Sequence, residues 1–260
     1  MKAAERLNEI GAHEKAIALI AEVFSQCPPF ARLRWPAVVA HRALSHFDQA
    51  IAEDTLLIES APLDHDYWSW RAQDRASSKD ANRAHADFWI ATSRTPYRNT
   101  ALRLEELWQE TSPCDAWLAL RYHADALDDE DLLENSGEIE PCLGTGHAKI
   151  KSEDRESDAL VGGQKARFSL TPEGLTVITS TLAAKAGVTL GEATTVLVEG
   201  EAVKAHLARA TVKLRGLEVK DARVAVVDWL PEKIDGVIGL DFVSHFLTEH
   251  GEKALDLKGR

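Results

Sequence analysis

FSLTPEGLTVITSTLAAKAGV, residues 168–188, is the stretch that decides how the C-terminal half folds. Ala166, Phe168 and Leu170 alternate with polar neighbours, the period of a half-buried strand. Pro172 and Gly174 interrupt that alternation, and a short helix is expected over Ser180–Ala186. Outward from this stretch the period-two pattern continues. Val212 and Leu214 alternate, and Val224, Val226 and Val227 form a β-branched run. Gly162-Gly163, Glu199-Gly200 and Arg215-Gly216 read as hairpin turns. A second short helix is expected over Leu240–Phe246. Residues 146–260 therefore read as a small, mainly β domain.

The N-terminal half has a different period. Ala16, Ala50 and Ala84 are 34 residues apart, and so are Pro28, Pro62 and Pro96. That is the period of the tetratricopeptide repeat, a helix–turn–helix unit. LNEIGAHEKAIALIAEVFSQCP, residues 7–28, resembles one such unit. Gly11 falls in its turn, Ala16 at the close helix contact, and Pro28 ends the second helix. Ile17, Ile20, Ala21 and Phe24 line one apolar face. Later units are degenerate: Ser45 and Lys79 replace the turn glycine. A fourth pair carries Leu104, Leu107 and Trp108, then Ser112-Pro113 opening a helix with Trp117, Leu120, Ala124 and Leu127. About eight helices are expected over residues 2–133, stacked as a short solenoid. From Tyr122 to Ala148 there is no Lys or Arg, and acids crowd together. This run reads as a solvated face leading into a linker. The expected division is 1–135 helical repeats, 136–145 acidic linker and 146–260 β-domain, an α+β chain.

Composition excludes several functions. The 260 residues carry a formal net charge of −12, which disfavours a nucleic-acid partner. No apolar run approaches the roughly 18 residues of a membrane span, so no membrane association is expected. No apolar leader appears, and a cytoplasmic location is expected. Cys27, Cys114 and Cys142 lack metal-binding spacing and read as free buried thiols. His41 and His46 are off the spacing that pairs two ligands on a helix; His85-Ala-Asp87 and Asp64-His65-Asp66 are short mixed clusters. No metal and no cofactor are expected. Most of Trp68, Trp70, Trp89, Trp108 and Trp117 should be core, with one or two lining a concave face.

Residues 168–188 also resemble the first half of the retropepsin-like aspartic peptidases. TVITSTLAAKAGV, residues 176–188, matches the strand and helix that follow the catalytic turn of that family. IDGVIGLDFVSHF, residues 234–246, resembles its second signature, an apolar–apolar–Gly turn entering a helix; the closing ALDL resembles its last strand. The resemblance covers roughly 146–258. It implies a retropepsin-like β-domain, with dimerisation through terminal strands as its relatives show.

Aligning TVI on TVI sets Leu170-Thr171-Pro172-Glu173-Gly174 over the family's Asp-Thr-Gly-Ala-Ser. Leu170 replaces the aspartate, and Pro172 the turn glycine. Aspartic peptidases need two carboxylates sharing a proton, and leucine cannot hold one. No catalytic residue is therefore assigned. Glu173, Asp235 and Asp228 are minor candidates for a relocated acid; solvated surface charge is the default reading. What the family's groove would retain is an extended-peptide site. Its expected residues are Leu170, Thr171, Pro172, Glu173 and Gly174 at the floor, Glu199, Gly200 and Glu201 at a flap tip, and Trp229 and Asp235 nearby.

The expected function is non-catalytic binding of a peptide or precursor peptide, with presentation of that peptide to a modifying enzyme. This is similar to the peptide-binding proteins of crocagin-type ribosomal peptide biosynthesis. The alternatives are a peptide-processing enzyme with relocated carboxylates, a cyclase or isomerase, and an interaction scaffold.

Overall fold

The structure, a computed structural model, describes all residues except 1, 27–30, 94–100, 103–104, 107, 109–111, 138, 140, 152, 171–173, 231–232 and 252–253; for 31–32 and 249–251 it describes the backbone alone. Cys27, Pro28, Pro96, Leu104 and Leu107 thus lie outside the described residues. The chain forms two compact units, Met1–Phe88 and Trp89–Arg260.

The first unit holds α1 (Lys2–Glu9), α2 (His13–Gln26), α3 (Ala31–Ala43), α4 (Phe47–Ser60), α5 (His65–Ser77) and the start of α6 (Ala81–Thr92). The turns α1–α2, α3–α4 and α5–α6 share one geometry. Gly11, Ser45 and Lys79 all take left-handed φ, at 74°, 58° and 66°. Beyond each, the next N–H bonds five residues back: Ala12 to Leu7, His46 to His41, and Asp80 to Arg75, each at 2.8 Å. These are Schellman caps, which end a helix by satisfying its last carbonyls. The short turns reverse the chain, so each pair is an antiparallel hairpin. Ala16, Ala50 and Ala84 have no exposed surface, as close helix packing requires.

Buried ion pairs tie α3 to α6. Arg71 grips Asp87 with Nε at 2.8 Å and a terminal nitrogen at 2.7 Å. Arg75 reaches the same carboxylate at 2.8 Å. Arg42 holds Asp74 at 2.6 Å and lies 3.3 Å from Asp54. Burial, then the hydrogen bond to Asp74, pushes the Asp54 carboxyl up to about 9. Asp54 is therefore neutral near pH 7 and donates to Asp74, so the Arg42–Asp74 contact is the charged pair. Such pairs add little net stability but fix which helices meet.

Among the described residues, the second unit contains α7 (Pro113–Leu127), α8 (Glu130–Gly137), α9 (Ser180–Lys185), α10 (Leu240–Val243) and ten strands. These are β1 (His147–Lys151), β2 (Glu156–Val161), β3 (Gln164–Ser169), β4 (Val177–Thr179), β5 (Leu190–Val198), β6 (Glu201–Leu214), β7 (Leu217–Val227), β8 (Gly236–Val237), β9 (Leu247–Gly251) and β10 (Ala254–Lys258). The larger sheet runs β2-β3-β8-β4-β7-β6-β5. Ala159–Val161 of β2 also pair with Val212–Leu214 of β6, which closes six strands into a barrel. β3–β8 and β4–β7 are parallel and the remaining pairs antiparallel. Phe168, Ile178, Val212, Leu217, Val224, Val226 and Phe242 fill it. The small sheet β1-β10-β9 brings the C-terminal strand beside β1.

The expected division at 136–145 differs from the compact units. α7 and α8 belong to the unit that contains the barrel. Asp115 at the start of α7 is buried and pairs with Arg223 of β7. The segment after α8 is packed as well: Gly144 N–H donates to His245 O at 2.8 Å, and Thr145 bridges Glu218. The acidic run itself is solvated, with Asp128, Glu130, Asp131 and Glu134 exposed. Cys114 and Cys142 are not free thiols as expected: they form a disulfide across 28 residues. Spacing gave no sign of it, because the two meet only after α7 docks on the barrel. A disulfide gives no support for a reducing compartment. No helix among the described residues is long and apolar enough to cross a membrane.

A carboxyl that is neutral in the fold and ionised in the open chain favours folding below the unfolded value near 4. That contribution is lost as pH rises through the folded value of about 9. Circular-dichroism melts between pH 7 and 10 should therefore show falling stability, and D54N should flatten that decline.

Candidate functional site

The barrel places the informative stretch at its centre. β3 ends at Ser169, and the buried Leu170, 9% exposed, donates its N–H to Arg155 O at 2.8 Å. Thr171, Pro172 and Glu173 lie outside the described residues. The chain re-emerges at Gly174, with φ +65°. β4 then follows, and Thr179 caps α9 by accepting from Leu182 N–H at 3.3 Å. Leu170 and Gly174 thus flank residues 171–173, with β3 before them and β4 after.

The second signature folds back onto Gly174. Gly174 O accepts from Leu240 N–H at 2.9 Å and from Asp241 N–H at 3.4 Å. Asp241 Oδ1 accepts three bonds, from Thr176 N–H at 2.8 Å, Thr176 Oγ1 at 2.7 Å and Phe242 N–H at 2.8 Å. Gly239 N–H donates to Thr176 Oγ1 at 3.0 Å. Glycine is required at 239, because a Cβ there would stand 2.2 Å from Leu175 C. The apolar–apolar–Gly pattern exists because β8 must press its backbone against the residues that lead into β4.

Asp241 is 5% exposed, and burial pushes its carboxyl up to about 7 against the pull of the Thr176 bonds. The sequence reading passed over it. An acid one residue before Phe242 in an apolar run was the available signal, since a lone buried acid implies a local set of donors. Asp235, the acid noted instead, holds strands together: Arg167 N–H donates to its Oδ2 at 3.0 Å, its N–H to Arg167 O at 2.8 Å, and Thr179 N–H to its carbonyl at 2.9 Å.

Asp228 is exposed on the surface after β7. Trp229 beside it is 55% exposed. Glu199 and Gly200, both left-handed at φ 47° and 85°, turn the β5–β6 hairpin, and Val198 pairs with Glu201. Two positive φ values mark a type I′ turn, whose twist suits long hairpins. Glu199 and Glu201 are exposed. The fold thus brings Leu170, Gly174 and the second signature together. Among the described residues, no hydrogen bond links that cluster to the hairpin tip or to Trp229.

Among the described residues, the geometry holds one buried carboxyl beside Thr176 and Gly174, with one oxygen saturated by three donors. A shared-proton pair needs two facing carboxyls, and Asp241 faces amide and hydroxyl donors. In the helical unit, Trp68 is buried and Trp35 stacks on Trp70 with ring centroids 3.7 Å apart. In the second unit, Trp89, Trp108 and Trp117 are buried.

Residues 158–242 match the model of the aspartyl protease family. No curated protein matches the chain. Among solved structures, a retropepsin-like aspartic protease from Rickettsia conorii is similar at 20% identity, covering 43% of this chain and 90% of that one, with a TM-score of 0.34. The chain is a helical N-terminal region followed by a β-barrel domain, and residues 158–242 of that domain are the ones similar to the aspartyl protease family.

Removing the Asp241 carboxyl strands three donors in a dry site. D241A should cost about 3 kcal/mol in urea denaturation, and D241N, which keeps an acceptor, less than about 1 kcal/mol.

Proposed function

We propose that this chain binds an extended peptide without cleaving it. The observation that carries the reading is Leu170. It follows β3, at the position that the alignment sets over the catalytic aspartate of active members of the resembled family, and it is buried and apolar. With no carboxylate there, neither one chain nor a homodimer assembles a water-activating pair. An apolar floor also removes the desolvation cost of laying a neutral backbone segment across it.

The remaining parts suit a strand-like ligand. Main-chain bonds contribute about 1 kcal/mol each, so micromolar affinity, near 8 kcal/mol, takes several bonds and one or two filled pockets. Trp229 offers an exposed aromatic anchor. Glu199 and Glu201 at the hairpin tip, with the chain's net charge of −12, favour a neutral or basic ligand. A precursor peptide presented to a modifying enzyme fits this chemistry, as in ribosomal peptide biosynthesis. The hairpins in Met1–Phe88 are read as tetratricopeptide-like units offering a second peptide surface, with the stacked Trp35 and Trp70 as its anchor. A homodimer through the β1-β10-β9 sheet and a cytoplasmic setting complete the proposal.

One observation favours a second reading. Asp241 titrates near neutrality beside the turn, which suits a relocated general acid. Its three donors make it the weaker choice.

Fluorescence anisotropy of the full chain against labelled extended peptides of basic and neutral composition tests the proposal. Micromolar binding that weakens with salt is expected, and Trp229→Ala should lower affinity roughly tenfold. Absence of binding to every pool, or binding indifferent to Trp229 and to substitutions at Glu199 and Glu201, would move the site elsewhere.

A further inference from the structure

Cys114, Cys142 and His245 come from three separate stretches: the first turn of α7, the segment after α8, and the turn after α10. One donor atom of each lies within 4.8 Å of the others. We propose that, once the disulfide is reduced, these side chains hold one zinc-like divalent ion, with water as the fourth ligand.

The geometry is close to what such an ion requires. Zinc sits about 2.3 Å from sulfur and 2.0–2.1 Å from nitrogen, so in a tetrahedron S and N stand about 3.6 Å apart and two sulfurs about 3.8 Å. Cys142 Sγ and His245 Nδ1 already lie 3.9 Å apart. The two cysteine Cα atoms are 5.1 Å apart, so rotating a sulfur about χ1 opens the bonded pair to that separation. His245 Nδ1 is 3.0 Å from Cys142 O, to which it donates while protonated; the ion would replace that proton. The coordinating nitrogen of a ligating imidazole carries no proton.

Charge also balances. Two thiolates cancel a divalent ion, and the adjacent Asp115–Arg223 pair is neutral in itself. A sulfur and imidazole set selects zinc and its soft neighbours over magnesium or calcium. All three residues are half-buried, so small thiols and ions can reach them.

Opening the site breaks the S–S bond. An added dithiol gives its two electrons and two protons to the cysteine sulfurs and closes to its own disulfide. Metal binding then expels both thiol protons, leaving the ion on two thiolates, and any proton on His245 Nδ1 moves to Nε2. The disulfide and the ion are therefore mutually exclusive. Either one ties α7 to the segment after α8, and the ion adds the turn after α10.

The test uses the full chain, reduced with a dithiol that is then removed without oxygen, and titrated with Co2+ and afterwards Zn2+. One Co2+ should bind with thiolate-to-cobalt charge-transfer absorption, releasing two protons, and one Zn2+ should displace it. Cys142→Ser and His245→Ala should each weaken binding by more than the roughly tenfold cost of losing an outer-sphere partner. The unreduced chain should show no such band. Absence of the band in the reduced chain, or unchanged affinity in both variants, overturns the proposal. The reduced wild-type chain decides even where a variant misfolds, and peptide binding does not enter the readout.

Discussion

The second unit depends on the bonds between Asp241 and Thr176. Two strands of the barrel, β4 and β8, are only three and two residues long. So few ladder bonds cannot hold them in register. A buried carboxyl accepting three donors supplies what they lack, and Gly239 permits the approach. The close approach of Gly239 to Leu175 and Thr176 goes with that contact. The same saturation leaves Asp241 poorly placed for chemistry, because its Oδ1 already accepts from Thr176 and Phe242.

The helical unit is held differently. Its turns repeat a cap geometry that glycine satisfies at no cost, yet Ser45 and Lys79 adopt it too. The strain, about 1–2 kcal/mol for a side chain in the left-handed region, is accepted because the hairpin is set by packing at Ala50 and Ala84. Arg71 with Asp87 and Arg42 with Asp74 then fix which helices meet, where an apolar contact would tolerate sliding.

These differences explain what the sequence could reveal. Periodicity was legible wherever one face is buried: the alternation at Phe168 and Leu170, the β-branched run at 224–227, the alanines 34 residues apart. Turns were legible where glycine marked them. Pairings between distant residues were not. Nothing near Asp241 names Thr176, nothing near Cys114 names Cys142, and Asp115 meets Arg223 only after the barrel has formed. The acidic stretch read as a linker because its charges are indeed exposed, while its backbone is pinned beyond Gly144 by partners that composition cannot specify. At the site, the replacement of an acid by Leu170 was legible, whereas Asp235 was weighed as an acid when its place in the fold is to join β3 to β4.

Binding without cleavage is the central claim. Its most direct measurement is mass spectrometry of a degenerate peptide library incubated with the full chain between pH 4 and 7. The account predicts a subset of peptides retained by the protein at unchanged mass. Shortened products whose formation is blocked by pepstatin would contradict it.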